Sequence, residues 1–193
     1  MRQRASSLCS GFRLSTLAVA LSTSACNAAP PHLCEAGEEP VFSCPIQAGK
    51  QIALCLSKPD PKRVGFGDLK FRLGLVQASE GRQANVEMEF PKASRSRNSS
   101  NLDLFEYQEA AKPGSVVRSV SFQLGKSDPN GLTYAIYSGF LPEDSEPPRR
   151  VAGMQIRREG HASANISCER IAVDQLTKLA PLLPRVGESS KPK

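Results

Sequence analysis

Histidine moves protons near neutral pH, and this chain of 193 residues has two, His32 and His161. A Ser-His-Asp or Cys-His site needs its base within hydrogen-bond reach of a nucleophile. His32 falls near the expected mature N-terminus and His161 in an expected turn, so no His-based site is predicted. Glu87 and Glu89 have the i, i+2 spacing that puts two carboxyls on one strand face, and paired carboxyls can act as acid and base on a glycosidic bond. Both alternate with core positions, which predicts a solvent-facing pair. Asp128-Pro129-Asn130-Gly131 opens like a calcium loop, but the twelfth position is Gly139 where Glu is required. A hairpin turn is expected there instead. Lys92, Arg95 and Arg97 form a short basic loop among Ser and Asn with no interleaved aromatic residue, so a solvated loop and no nucleic-acid partner are expected. Asn98-Ser99-Ser100 and Asn165-Ile166-Ser167 match the glycosylation pattern, which matters only in a eukaryotic secretory route.

The cysteines carry more information. Two of the six, Cys9 and Cys26, fall in the first 28 residues, leaving Cys34, Cys44, Cys55 and Cys168 in the body of the chain. A four-thiolate zinc site wants pairs separated by about two to four residues. The gaps here are 9, 10 and 112 residues, so no metal or other cofactor is expected. An even number of cysteines in an exported chain reads as two disulfides, which leaves no thiol nucleophile.

Export itself is read from Met1 to Ala28: a basic start (Arg2, Arg4, Arg13), an apolar stretch from Leu14 to Leu21, and small residues from Ser22 to Ala28. Cleavage is expected after Ala28. The apolar run is far shorter than the roughly 20 residues a spanning helix requires, so no transmembrane segment is predicted. Ser24-Ala25-Cys26 also has the small residues of a lipid-attachment site, although Thr23 stands where Leu is usual. A periplasmic or secreted protein is the expectation, with a lipoprotein through Cys26 as the variant. Without the leader the net charge falls from +6 to +3, because Lys+Arg drops from 25 to 22 against 19 acids. Residues 29–186 are expected to form one domain, monomeric, and 187–193 a disordered tail.

The elements that must position these residues read as strands. Val41 to Ile46 and Gln51 to Ser57 alternate in period two around Ala48-Gly49, a natural two-residue turn. With that loop, Cys44 faces Ala53 and Phe42 faces Cys55, so Cys44 and Cys55 share a face as diagonal neighbours. Asp68 to Val76 places Leu69, Phe71, Leu73 and Leu75 inward and Asp68, Lys70 and Arg72 outward. Val86 to Phe90 follows after a turn at Glu80-Gly81, and Leu102 to Tyr107 reads either as a helical turn or as an edge strand. Ser115 to Leu124 and Leu132 to Tyr137 form a second hairpin. The loop Pro142 to Arg150 is solvated and stiff. Val151 to Arg158 and Ser163 to Cys168, joined at Glu159-Gly160, form a third hairpin, with Ala152, Met154, Ile156, Ala164, Ile166 and Cys168 inward. After Cys168 the period changes to about 3.6: Ala172, Leu176, Leu179, Ala180 and Leu183 predict a helix over Ile171 to Ala180, limited by Pro181 and closing an open end of the sheets. The fold class is all-β, an antiparallel sandwich or barrel of about eight strands with a C-terminal helix.

Val41-Phe42-Ser43-Cys44-Pro45-Ile46, then Gly49-Lys50-Gln51-Ile52-Ala53-Leu54-Cys55, resembles the opening of a family of small exported bacterial proteins. The likeness continues through Lys70 to Gly74, Thr133 to Tyr137, Ala152 to Ile156 and Ile166-Ser167-Cys168, in order. It implies a compartment and a domain, and no reaction. More distantly, the chain is similar to the membrane-bound inhibitors of C-type lysozyme, β-barrels in which a Phe-x-Cys strand near the start is tied to a Cys strand near the end. Phe42-Ser43-Cys44 and Cys168 stand in those places, while the family's Ser-Gly-x-x-Tyr loop is matched only by Ser138-Gly139-Phe140, without the Tyr.

Four cysteines allow three pairings. First and last strands of a closed antiparallel domain often lie side by side, which favours Cys44 with Cys168 and leaves Cys34 with Cys55; the diagonal geometry disfavours Cys44 with Cys55 without removing it. The expected function is a non-enzymatic binding or inhibitor module for a protein or glycan in the cell envelope. A carboxylate-dependent enzyme acting on a wall or carbohydrate substrate is the alternative.

Overall fold

A computed structural model describes residues 33–59, 67–76, 84–92, 100–124, 131–142, 147–158 and 160–186. The expected leader with Cys26, His32, the expected Glu80-Gly81 turn, Arg95, Arg97, Asn98-Ser99, residues 128–130 of the failed calcium loop and residues 187–193 lie outside the described residues. In chain order the strands are β1 (Glu38–Pro45), β2 (Lys50–Ser57), β3 (Leu69–Leu75), β4 (Asn85–Phe90), β5 (Phe105–Lys112), β6 (Ser115–Leu124), β7 (Leu132–Leu141), β8 (Arg149–Arg157), β9 (Ala164–Ser167) and β10 (Val173–Asp174). They form two antiparallel sheets of five, ordered β10-β1-β2-β3-β4 and β5-β6-β7-β8-β9. The all-β antiparallel sandwich is thus as expected, with two strands more than the eight read from the sequence.

The sheets bury the period-two apolar residues between them. Phe71 of β3 and Phe90 of β4 lie 5.0 and 4.6 Å, ring centre to ring centre, from Phe122 of β6, which in turn lies 5.3 Å from Tyr134 of β7. Such ring pairs contribute about 0.5–1.5 kcal/mol each beyond their buried area. The segment that read as either turn or strand is both: a 3-10 turn, Leu102–Leu104, delivers the chain into β5. Asn101, fully buried, fixes that entry, since its side chain accepts from the Leu69 N–H at 2.8 Å and donates to the Leu69 carbonyl at 2.9 Å.

Three expectations are corrected. The β1–β2 loop is not two residues long: Gln47–Gly49 form a tight turn in which Ala48 (φ 62) and Gly49 (φ 69) are both left-handed. The register therefore moves by one, with Cys44 opposite Ile52 and Ser43 opposite Ala53. One step of register changes a strand's facing partners, so Cys44 lies in the core between the sheets while Cys55 lies on the opposite face with Leu33, Cys34 and Ala53. This removes the Cys44–Cys55 alternative.

The second correction concerns the C-terminal helix, which is a short strand, β10, followed by a 3-10 turn at Leu176–Leu179. The free edge of β1 is the reason. Ala172 and Gln175 donate their N–H groups to the carbonyls of Ser43 (3.0 Å) and Val41 (2.8 Å), which a helix over these residues would leave unpaired. The apolar stripe survives in part: Leu176, Leu179 and Leu183 are buried, but Ala172 is exposed. Third, Ala164 shares the inward face opposite Ile156 yet lies exposed, because β9 is the short outer strand of its sheet.

Both disulfides of the favoured pairing are present, Cys34–Cys55 and Cys44–Cys168, with Cα atoms 5.5 and 5.6 Å apart. The second joins the sheets where the chain crosses between them: the Cys168 N–H bonds to Ala152 of β8, and the Glu169 N–H bonds to Pro45 of β1. Among the described residues no helix is long and apolar enough to cross a membrane.

Candidate functional site

A sandwich has two outer faces, and here they differ. On the β10-β1-β2-β3-β4 sheet the outward residues of β2, β3 and β4 include Ala53, Cys55, Lys70, Arg72 and Glu89. The chain before β1 folds back over them, tied by the Cys34–Cys55 bond, so that Leu33 and Cys34 pack on Ala53 and Cys55. Arg72, outward in the alternation as expected, is consequently fully buried. Its guanidinium donates to Glu38 through two nitrogens, to Glu89 at 2.6 Å, to Glu35 at 3.0 Å and to the Leu33 carbonyl at 3.3 Å. Burial pushes the Glu38 carboxyl up, but the bonds from Arg72 and from the Glu35 N–H, with the Arg72 charge, outweigh it and hold Glu38 below the ordinary carboxylate range. Burial also works against the Arg72 charge, and its bonds to Glu38 and Glu89 overcome that and raise its pKa further.

This arrangement settles where the paired carboxylates go. Glu89 is held by Arg72, whereas Glu87 meets Lys50 at 2.6 Å; each has its own cation and they do not converge on a cleft. The Cys34 and Cys55 sulfurs and the Glu38 carboxylate lie within 4.8 Å of one another, but the sulfurs are bonded together and offer no thiolate pair. The face is structural, locked by a disulfide and an ion cluster.

The outer face of β5-β6-β7-β8-β9 carries no such cover among the described residues. The register stacks Gln108, Ser119, Tyr137, Gly153 and Ser167 in one row across the five strands, and Glu106, Ser121, Ala135, Gln155 and Asn165 in the next. The small residues Ser119, Ser121, Ala135 and Gly153 stand among the longer Gln108, Tyr137 and Gln155 and leave a depression between them. A hollow of about 340 Å³ results, its floor formed by Val117, Ala135, Leu141 and Val151 and its rim by Gln108, Gln155, Arg157 and Asn165. Sites for small ligands run roughly 300–1,000 Å³. Tyr137 lies within it. A Cβ on Gly153 would approach the Tyr137 hydroxyl to 2.9 Å, so the missing side chain is what lets the tyrosine lean across β8. A smaller hollow of about 170 Å³ adjoins along the same face, lined by Asp103, Glu106, Ser121, Gln123 and Thr133.

The remaining candidates fall elsewhere. His161 is exposed in the turn after β8, its N–H bonded to the Arg158 carbonyl at 3.1 Å. Ser138-Gly139-Phe140 lies within β7, not in a loop; buried Ser138 donates to Asp174 at 2.9 Å, and Asp174 also accepts from Arg150 at 3.0 Å. Asn165 of the second glycosylation match is the rim residue of the hollow.

Sequence reasoning missed the hollow, though a signal was present. The outward positions of β3 and β4 are charged, as in Lys70, Arg72, Glu87 and Glu89, whereas those of β6, β7 and β8 include Val117, Ala135, Tyr137 and Val151. A strand apolar on both phases faces either a second layer or a partner. Comparison of the chain with protein-family models, with curated proteins and with solved structures found no match, and the functional reading rests on these residues.

Proposed function

We propose that the protein is an exported, non-enzymatic β module that binds a protein or glycan of the cell envelope through the concave outer face of β5 to β9. One observation carries this reading: of two equivalent sheet faces, one is covered and locked while the other keeps an apolar floor with a polar rim. Two disulfides fit an oxidising compartment, as does the leader pattern of Met1 to Ala28.

A photo-crosslinking residue at Val117, on the concave face, and one at Lys70, on the covered face, test it in intact cells. Crosslinks to a discrete envelope component from position 117 and none from position 70 are expected. Equal labelling from both, or none from 117, overturns the reading. The second reading, a carboxylate-dependent enzyme acting on a wall or carbohydrate substrate, draws on Asp103 and Glu106, which line one hollow of this face. Release of soluble sugar from a wall preparation, lost in Asp103→Asn and Glu106→Gln, would establish it; no release by the unaltered protein removes it.

A further inference from the structure

Building on that binding reading, we propose that the hollow around Tyr137 takes an acidic glycan, a sugar chain bearing a carboxylate, with the Tyr137 ring under the sugar and Arg157 paired to the carboxylate. Two features of the hollow match a sugar. Sugars present an apolar C–H face ringed by hydroxyls, and each hydroxyl both donates and accepts. Side-chain amides do the same, since each offers two N–H donors and a carbonyl acceptor. Gln108, Gln155 and Asn165 stand at the rim around an aromatic ring and an apolar floor, a pairing suited to a ligand with both kinds of surface. Five strands about 4.8 Å apart make the face roughly 19 Å wide, the scale of an oligosaccharide rather than of one ring.

Charge selects the kind of sugar. Among the described residues lining the hollow Arg157 is the one cation, and no carboxylate lines it. Arg72 is paired with Glu35, Glu38 and Glu89, Arg118 with Glu109, and Arg150 with Asp174, while Arg158, Arg170 and Arg185, which like Arg157 form no ion pair among the described residues, do not line this hollow. Arg157 is exposed and is joined to no acid among the described residues. Its planar fork suits a carboxylate, which it can hold by two parallel bonds. A neutral sugar would offer that group only hydroxyl acceptors, without the opposite charge that strengthens the bond.

Two probes separate the parts of the proposal: a tetrasaccharide of alternating N-acetylglucosamine and N-acetylmuramic acid, and chitotetraose, which lacks the carboxylates. Calorimetric titration of the full chain, disulfides intact, is expected to show saturable binding of the acidic tetrasaccharide, about tenfold tighter than chitotetraose, the size of one charge-assisted bond. Arg157→Gln, at an exposed position, should bring the acidic ligand down to the chitotetraose value. Tyr137→Ala should weaken both ligands about tenfold or more, while Tyr137→Phe, which keeps the ring, should retain both. Equal affinity for the two sugars, or affinity unmoved by Arg157→Gln and Tyr137→Ala, overturns the proposal. So does no binding of either sugar. In that event crosslinking from position 117 separates the failures: capture of a protein partner there leaves the binding-module reading standing, and no capture removes it as well.

Discussion

Replacing Arg72 with Met should be among the most damaging single changes in the protein. The guanidinium is fully buried and satisfies three carboxylates whose side chains are 7% (Glu38), 24% (Glu89) and 67% (Glu35) exposed. Methionine keeps most of the aliphatic stem, so the loss is mainly that of the charge and its bonds. Removing one partner of a buried pair costs about 3–5 kcal/mol because the other charge is stranded, and that figure applies to Glu38. Glu35 sits largely in water and adds at most about 1 kcal/mol. A total of about 3–5 kcal/mol is therefore expected, roughly 6–20 °C of melting temperature for a domain of this size. Urea unfolding followed by far-ultraviolet circular dichroism at pH 7, without reductant, measures it. Glu35→Gln should cost under about 0.5 kcal/mol. Adding Glu38→Met to Arg72→Met should recover at least half of the loss, since an apolar replacement for a whole buried pair is often neutral. A loss below about 1 kcal/mol for Arg72→Met, or no recovery in the double variant, would refute the account of this face as an ion-locked cover.

Three more predictions concern the same framework. The folded-state pKa of Glu38 is depressed, so its contribution is present above the unfolded value of about 4.3 and is lost as pH falls through the lower folded value; urea midpoints should drop over that acid range in the unaltered protein and less steeply in Glu38→Gln. In the chain-entropy account the Cys44–Cys168 bond, spanning 124 residues, is worth about 5 kcal/mol, and the Cys34–Cys55 bond, spanning 21, about 3 kcal/mol; paired Cys→Ala variants should therefore melt in that order, and the reverse order would count against it. Asn101→Leu strands the Leu69 N–H and carbonyl, each costing about 1–3 kcal/mol, so a loss of roughly 2–4 kcal/mol in urea unfolding is expected.

The strands were legible because each half-buried segment declares itself by alternation: Leu69, Phe71 and Leu73 against Lys70 and Arg72 needs no tertiary information. The β1–β2 register did depend on it. Ala48 in a left-handed conformation is a choice that alanine disfavours in isolation, and a reading that takes Ala48-Gly49 as the whole loop misses Gln47 and shifts every partner by one. The C-terminal stripe misled for a different reason. Leucines at 176, 179 and 183 suit a 3-10 turn and an irregular tail as well as a helix, and what decides between them is the empty edge of β1, a feature of the assembled sheet.

The two outer faces turn on the same distinction between what a strand declares and what its neighbours decide. Arg72 and Tyr137 both occupy outward positions in the alternation, and each strand alone predicts a side chain in solvent. For Arg72 the prediction fails, because a disulfide 17 residues before it in the chain lays a short segment across the sheet and brings two acids with it. A buried cation is tolerated only with such partners, and the clustering of Glu35, Glu38 and Glu89 around it is the arrangement that burial demands. Tyr137 does stay on the outer face, half-buried, and the neighbours still decide what it does: Gly153 on β8 leaves room for the ring to lean, while Val117, Ala135 and Val151 put apolar surface where the other sheet carries charges. The described residues cover one sheet at the cost of burying a charge and leave an apolar floor open on the other, so their unmet contacts lie on the second. On the proposed reading that is where a partner would gain most from burial, and where substitutions should alter binding while leaving the stability of the domain nearly untouched.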